Sequence, residues 1–81
     1  MSATLDSVAD LQVWHPLSRD EFRQLKRDDR VRDRGGRIWT LRVDAYFDHA
    51  EGEHRAVLVA GAQVLVERER FHDSYMLVGT G

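Results

Sequence analysis

With 81 residues, 42% of them hydrophobic, the chain has the composition of one folded domain, and a domain this small buries only ~60–65% of the surface its unfolded form exposes, which leaves no room for a deep substrate cleft. The lack of cysteine excludes a disulfide framework and a thiolate zinc site, and with neither a leader-like segment nor an apolar run of about 18 residues the sequence reads as cytoplasmic, with no membrane partner expected. The formal net charge of -2 is unevenly spread: residues 19–42 hold nine Lys/Arg against five acids, a local balance of +4, and the remainder sums to -6.

Residues 1–4 read as a loose terminus, and "LDSVADLQVW" spaces Leu5, Val8 and Leu11 at helical intervals. Ser18 followed by Glu21 forms a capping box, with Leu17 and Phe22 placed as a hydrophobic staple around it. The pattern predicts a helix over 19–27 that turns Phe22 and Leu25 inward and sets Asp20 and Glu21 in its positive first turn.

"RIWTLRVDAYF" then alternates Trp39, Leu41, Val43, Ala45 and Phe47 with more polar neighbours, the period of a strand with one dry face, and predicts a long central strand. Its upstream partner is "RVRDR". Val31 falls opposite Trp39 only if the turn is Arg34, Gly35 and Gly36, with a glycine in the left-handed position. After the polar loop "DHAEGEH", the run "AVLVAGAQVLV" predicts a hairpin closed by a type II′ turn at Gly61-Ala62, with Val59 opposite Val64, Leu58 opposite Leu65 and Val57 opposite Val66. "RERFHDS" reads as a short turn or single helical turn, and "YMLVG" as a final strand.

About five short strands with tight connections favour a strongly bent sheet that closes on itself. The succession resembles the SH3-like barrels: "RVRDRGGRIWTL" is similar to their first hairpin, "AVLVAGAQVLV" to the central one and "RERFHDSYMLV" to the turn before the closing strand. The resemblance covers residues 29–79 and is one of topology. It implies a mainly β, five-stranded SH3-like barrel with one short N-terminal α-helix, residues 1–28 being a helical lead-in within a single domain. The aromatic peptide groove of SH3 domains is not recognisable, so proline-rich ligands are not implied. In style, with eleven Arg to one Lys, the chain is also similar to small proteins of actinobacteria and their phages.

No reactive constellation emerges. "HDS" at 72–74 holds three triad residue types, but contiguous side chains diverge, and a triad needs convergence from separate parts of a fold. His49 and His54, with Asp48, Glu51 and Glu53, offer ligand types suited to zinc or nickel, yet lack a motif-defined third ligand and read as a solvated loop. No catalysis, metal, cofactor or small-molecule substrate is therefore expected.

Two surfaces remain. Both faces of the central hairpin are apolar, and the sequence predicts that Leu58 and Leu65 need a cover: the N-terminal segment, another protein or a second copy of the chain. A protein-interaction or adaptor module is the expected function, with Leu58, Leu65 and Ile38 as the apolar contact and Arg23, Arg27 and Arg42 steering an acidic partner. The alternative is nucleic-acid binding through the basic 19–37 region, by Arg19, Arg23, Lys26, Arg27, Arg30 and Arg34.

Overall fold

The computed structural model describes residues 14–78. The helical spacing of Leu5, Val8 and Leu11 lies outside these residues, as do residues 79–81. Helix α1 spans Arg19–Arg23 and is followed by strands β1 (Arg30–Asp33), β2 (Ile38–Leu41), β3 (Tyr46–Asp48), β4 (Glu53–Ala60) and β5 (Gln63–Arg68), a 3-10 helix (Glu69–Ser74) and β6 (Tyr75–Leu77). The protein is mainly β, a six-stranded antiparallel sheet in the order β6-β1-β2-β4-β5, with β3 alongside the first half of β4 on the edge that it shares with β2. Among the described residues no strand pairing joins β5 to β6, so the sheet is open where a closed five-stranded barrel was expected.

The capping box forms as the sequence requires: Ser18 Oγ accepts from Glu21 N–H at 3.1 Å, and Ser18 N–H donates to Glu21 Oε1 at 2.8 Å. The helix ends at Arg23, short of the expected 27, yet Leu25 is still buried beside Leu17 and Phe22. What stops it is the chain beyond. Asp29 Oδ2 accepts from Lys26 N–H, Asp28 takes a left-handed φ of 76°, and Asp28 N–H donates to Leu41 O, an arrangement that a continued helix would break.

Both hairpin registers match the sequence pattern. Val31 lies opposite Trp39 across the Arg34-Gly35-Gly36 turn, with Gly36 at φ 89°. Asp33 organises that turn: its Oδ1 accepts from Gly35 and Arg37 N–H at 2.9 Å each, and its Oδ2 accepts from Trp39 Nε1 at 3.0 Å. Those donors, the Trp39 indole first, hold the Asp33 carboxyl below its ordinary range. In the second hairpin Leu58 faces Leu65 and Val59 faces Val64, with Gly61 at φ 60° supplying the backbone that a type II′ turn demands.

The long central strand does not form. The alternating run breaks at 42–45, where Asp44 Oδ1 accepts from Arg27 N–H at 2.8 Å and Ala45 N–H donates to Leu25 O at 2.9 Å. The chain bends to meet the exit of α1. Trp39 and Leu41 stay in the core, Ala45 packs against it, and Val43 and Phe47 are exposed.

One core lies on the inner side of the sheet, made by Leu17, Phe22, Leu25, Val31, Trp39, Leu41, Ala56, Leu58 and Tyr75. Helix α1 and the 3-10 helix cover it. Leu17 N–H donates to Tyr75 O at 2.9 Å, and His72 Nδ1 donates back to Leu17 O at 2.6 Å, which fixes the proton on that ring nitrogen. No helix of the described residues is long and apolar enough to cross a membrane.

Candidate functional site

Leu58 is 1% exposed and belongs to the core, and Leu65 is half-buried against it. This corrects the expectation that these leucines await a cover from outside: α1 and the rest of the inner face already supply one. The hairpin is two-faced as expected, but its uncovered side is the opposite one. Val64 is 57% and Val66 43% exposed, with Val57 and Val59 half-buried beside them.

Strand register extends this outer face across the sheet. One row runs Val64, Val59, Thr40 and Arg30; the next level of β1 and β2 pairs Ile38 with Arg32, and Arg32 in turn with Met76. On the other side, Val66 lies opposite Val57, whose carbonyl accepts from Arg42 N–H at 2.9 Å, and Arg68 lies opposite Arg55, itself opposite Tyr46. Period-two alternation therefore places Ile38, Val57, Val59, Val64 and Val66 together as an apolar strip, with Arg30, Arg32, Arg42 and Arg68 around it. None of these four arginines makes an ion pair with a described residue. Arg55 does: its Nε stands 2.6 Å from Asp48 Oδ2, although the N–H is out of line for a hydrogen bond, so the contact is one of charges.

The remaining arginines of the predicted sites are divided between structure and solvent. Arg19 and Arg23 hold Glu69, at 3.1 and 2.8 Å, and Glu69 is 2% exposed. Glu69 Oε1 also accepts from His54 N–H at 3.3 Å and lies 3.4 Å from His54 Nδ1. Hydrogen bonding from Arg23, then from Arg19 and the His54 N–H, outweighs burial and holds this carboxyl at about 2. Arg34 lies over the Trp14 ring at 4.8 Å and donates to Asp73 O. Lys26 and Arg27 are exposed near the α1 exit, where Arg27 contributes its backbone to Asp44. The basic stripe is thus split: Arg19, Arg23 and Arg34 tie the fold together, and Arg30 joins the outer face. Of the residues expected to bind a partner, the structure brings Ile38 and Arg42 onto that face and sets Leu58, Leu65, Arg23 and Arg27 elsewhere.

No group of three or more metal-ligating side chains converges among the described residues. His49 and His54 instead flank the Phe47 ring edge-on at 4.8 and 5.2 Å. Tyr75, whose hydroxyl donates to Glu67 Oε2, is pushed well above the ordinary phenol range, by burial first and by that carboxylate second. A shallow cleft of about 260 Å³ between α1 and β6 is lined by Leu17, Leu25, Leu77 and the acids Glu21 and Asp29, which are engaged in local hydrogen bonds.

Comparison with protein-family models, curated proteins and solved structures finds no match for this chain.

Proposed function

We propose that the chain is a non-catalytic interaction module of SH3-like type that binds an acidic protein through the outer face of its sheet. The observation that carries this reading is the exposed strip of Ile38, Val57, Val59, Val64 and Val66 bordered by Arg30, Arg32, Arg42 and Arg68, which have no ion-pair partner among the described residues. Exposed β-branched side chains in a contiguous patch lose solvent contact on association, and unpaired guanidiniums favour a carboxylate-bearing partner by steering and by bidentate hydrogen bonds. The strand order β6-β1-β2-β4-β5, with a 3-10 turn leading into the last strand, supports the SH3-like resemblance.

The test is affinity capture from host lysate at two salt concentrations, using the wild-type chain and Val59→Ser/Val66→Ser. A protein bound by the wild type and lost from the variant supports the proposal. A nucleic acid as the retained species, released steeply as salt rises and indifferent to the valine changes, replaces it with the phosphate-binding alternative.

A further inference from the structure

No strand pairs with the outer edge of β5 among the described residues, and the chemistry of that edge specifies what fits there. Ala60 and Gln63 flank a two-residue turn and so form a hydrogen-bonded pair. Alternation then turns the backbone groups of Gln63, Leu65 and Glu67 toward β4 and those of Val64, Val66 and Arg68 outward. The same phase holds on the far side of β4, where the Val57 carbonyl faces Arg42 N–H. Among the described residues no backbone group pairs with Val64 or Val66 from the outer side. Arg68 N–H is occupied by its neighbour Glu67 Oε1 at 3.0 Å, so the open stretch consists of Val64, Val66 and the Arg68 carbonyl. It carries no proline or lysine, and its ladder to β4 runs unbroken from Gln63 to Arg68 without a bulge, so the charges of Glu67 and Arg68 guard only its far end and the stretch 64–66 is left open.

We infer that β5 receives an extended segment of the acidic partner as an additional antiparallel strand. The inference rests on the reading of the outer face as a protein-binding surface and names how one part of the partner engages it. Charge selects the segment. Arg68 stands opposite Arg55, and the carboxylates near it are engaged elsewhere, Asp48 with Arg55, Glu53 with Arg70 and Glu67 with the Tyr75 hydroxyl, so the residue that fits opposite Arg68 is an acid. Residues opposite Val66 and Val64 share the apolar outer face and are β-branched or other apolar side chains. Read in its own direction, the segment has an acid first and apolar residues third and fifth. Backbone pairing at Val64 and Val66 supplies affinity, and the alternate side chains supply selectivity. A second copy of β5 meets this pattern less well, since the register that pairs Val64 with a second Val66 leaves Ala62 opposite Arg68.

The experiment uses the full chain and the acetylated, amidated peptide Asp-Thr-Val-Ala-Val-Thr, with amide exchange and methyl spectra as readouts. At saturation, exchange of the Val64 and Val66 amides is expected to slow roughly tenfold or more. Methylating the backbone nitrogen of the first peptide valine, which faces Val66, removes that protection without altering the chain. Arg68→Glu weakens binding roughly three- to tenfold, and a peptide with Lys in place of Asp restores it on that variant. Binding without slowed exchange at Val64 and Val66, or with no preference at the charge swap, overturns the strand. So does an isolated chain that elutes as a dimer with those amides already protected, which assigns the edge to a second copy. If the Val57 and Val59 methyls respond while the edge amides do not, the strand fails and the outer-face reading stands; silence from both sets fails the two together.

Discussion

Glu69 shows how much a single residue can hide from a sequence. In "ERER" it looks like any solvated carboxylate, yet it is buried and joins α1 to the β4 end of the sheet through Arg19, Arg23 and His54. Its partners Arg19 and Arg23 are 50 and 46 residues away along the chain, a separation that no local pattern reports. Its folded-state value of about 2 lies below the ordinary 4.5, so its stabilisation is complete above about pH 4.5 and disappears as pH falls toward 2. Glu69→Gln keeps the shape and loses the charge. Because both arginines are half-exposed and regain water, the expected cost at neutral pH is about 1–2 kcal/mol, and urea titrations across pH 2–6 are expected to show a flatter acid limb for the variant. Leu58 makes the complementary case at full burial: Leu58→Ser removes core contacts and buries a hydroxyl, and is expected to cost roughly 3–5 kcal/mol in urea unfolding. Val66→Ser, on the open face, is expected to cost about 1 kcal/mol or less in the same measurement.

At the scale of elements, turns and registers were legible because their determinants are adjacent in the chain. The capping box, the Arg34-Gly35-Gly36 turn and the Gly61-Ala62 turn each follow from three or four neighbouring residues, and all three form. The broken central strand was not legible. Its alternation is intact through Phe47, and only the hydrogen bonds of Arg27 to Asp44 and of Ala45 to Leu25 turn the backbone aside. Nor did the sequence reveal which side of the Leu/Val hairpin faces inward, since both sides are apolar and α1 decides the matter from a distance. The Gly61 turn is open to a direct check. A Cβ there meets nothing within 4 Å, but φ is 60°, so the penalty of substitution is conformational alone. Gly61→Val is expected to lose about 1–2 kcal/mol, and Gly61→Asn clearly less, in thermal melts of the two variants side by side.

For the whole molecule, the open sheet divides labour between its faces. Helix α1, the 3-10 helix and the Glu69 cluster close the inner side, and the outer side keeps apolar and cationic groups in water. Stability is expected to be limited at both ends of the pH scale. At the alkaline end, Tyr75 binds its proton more tightly when folded than at its ordinary value of 10.0, so its contribution is full below about pH 10 and is lost as pH rises further; Tyr75→Phe is expected to retain more of its neutral-pH stability at pH 11 than the wild type does, read by urea titration. The central claim concerns the outer face, and solvent paramagnetic attenuation of methyl signals, recorded before and after addition of the captured partner, tests it most directly. Val64 and Val66 methyls are expected to be strongly attenuated in the isolated chain and shielded in the complex, with Leu58 shielded throughout. Attenuated Leu58 methyls, or Val64 and Val66 left as exposed in the complex as in the isolated chain, would contradict the account.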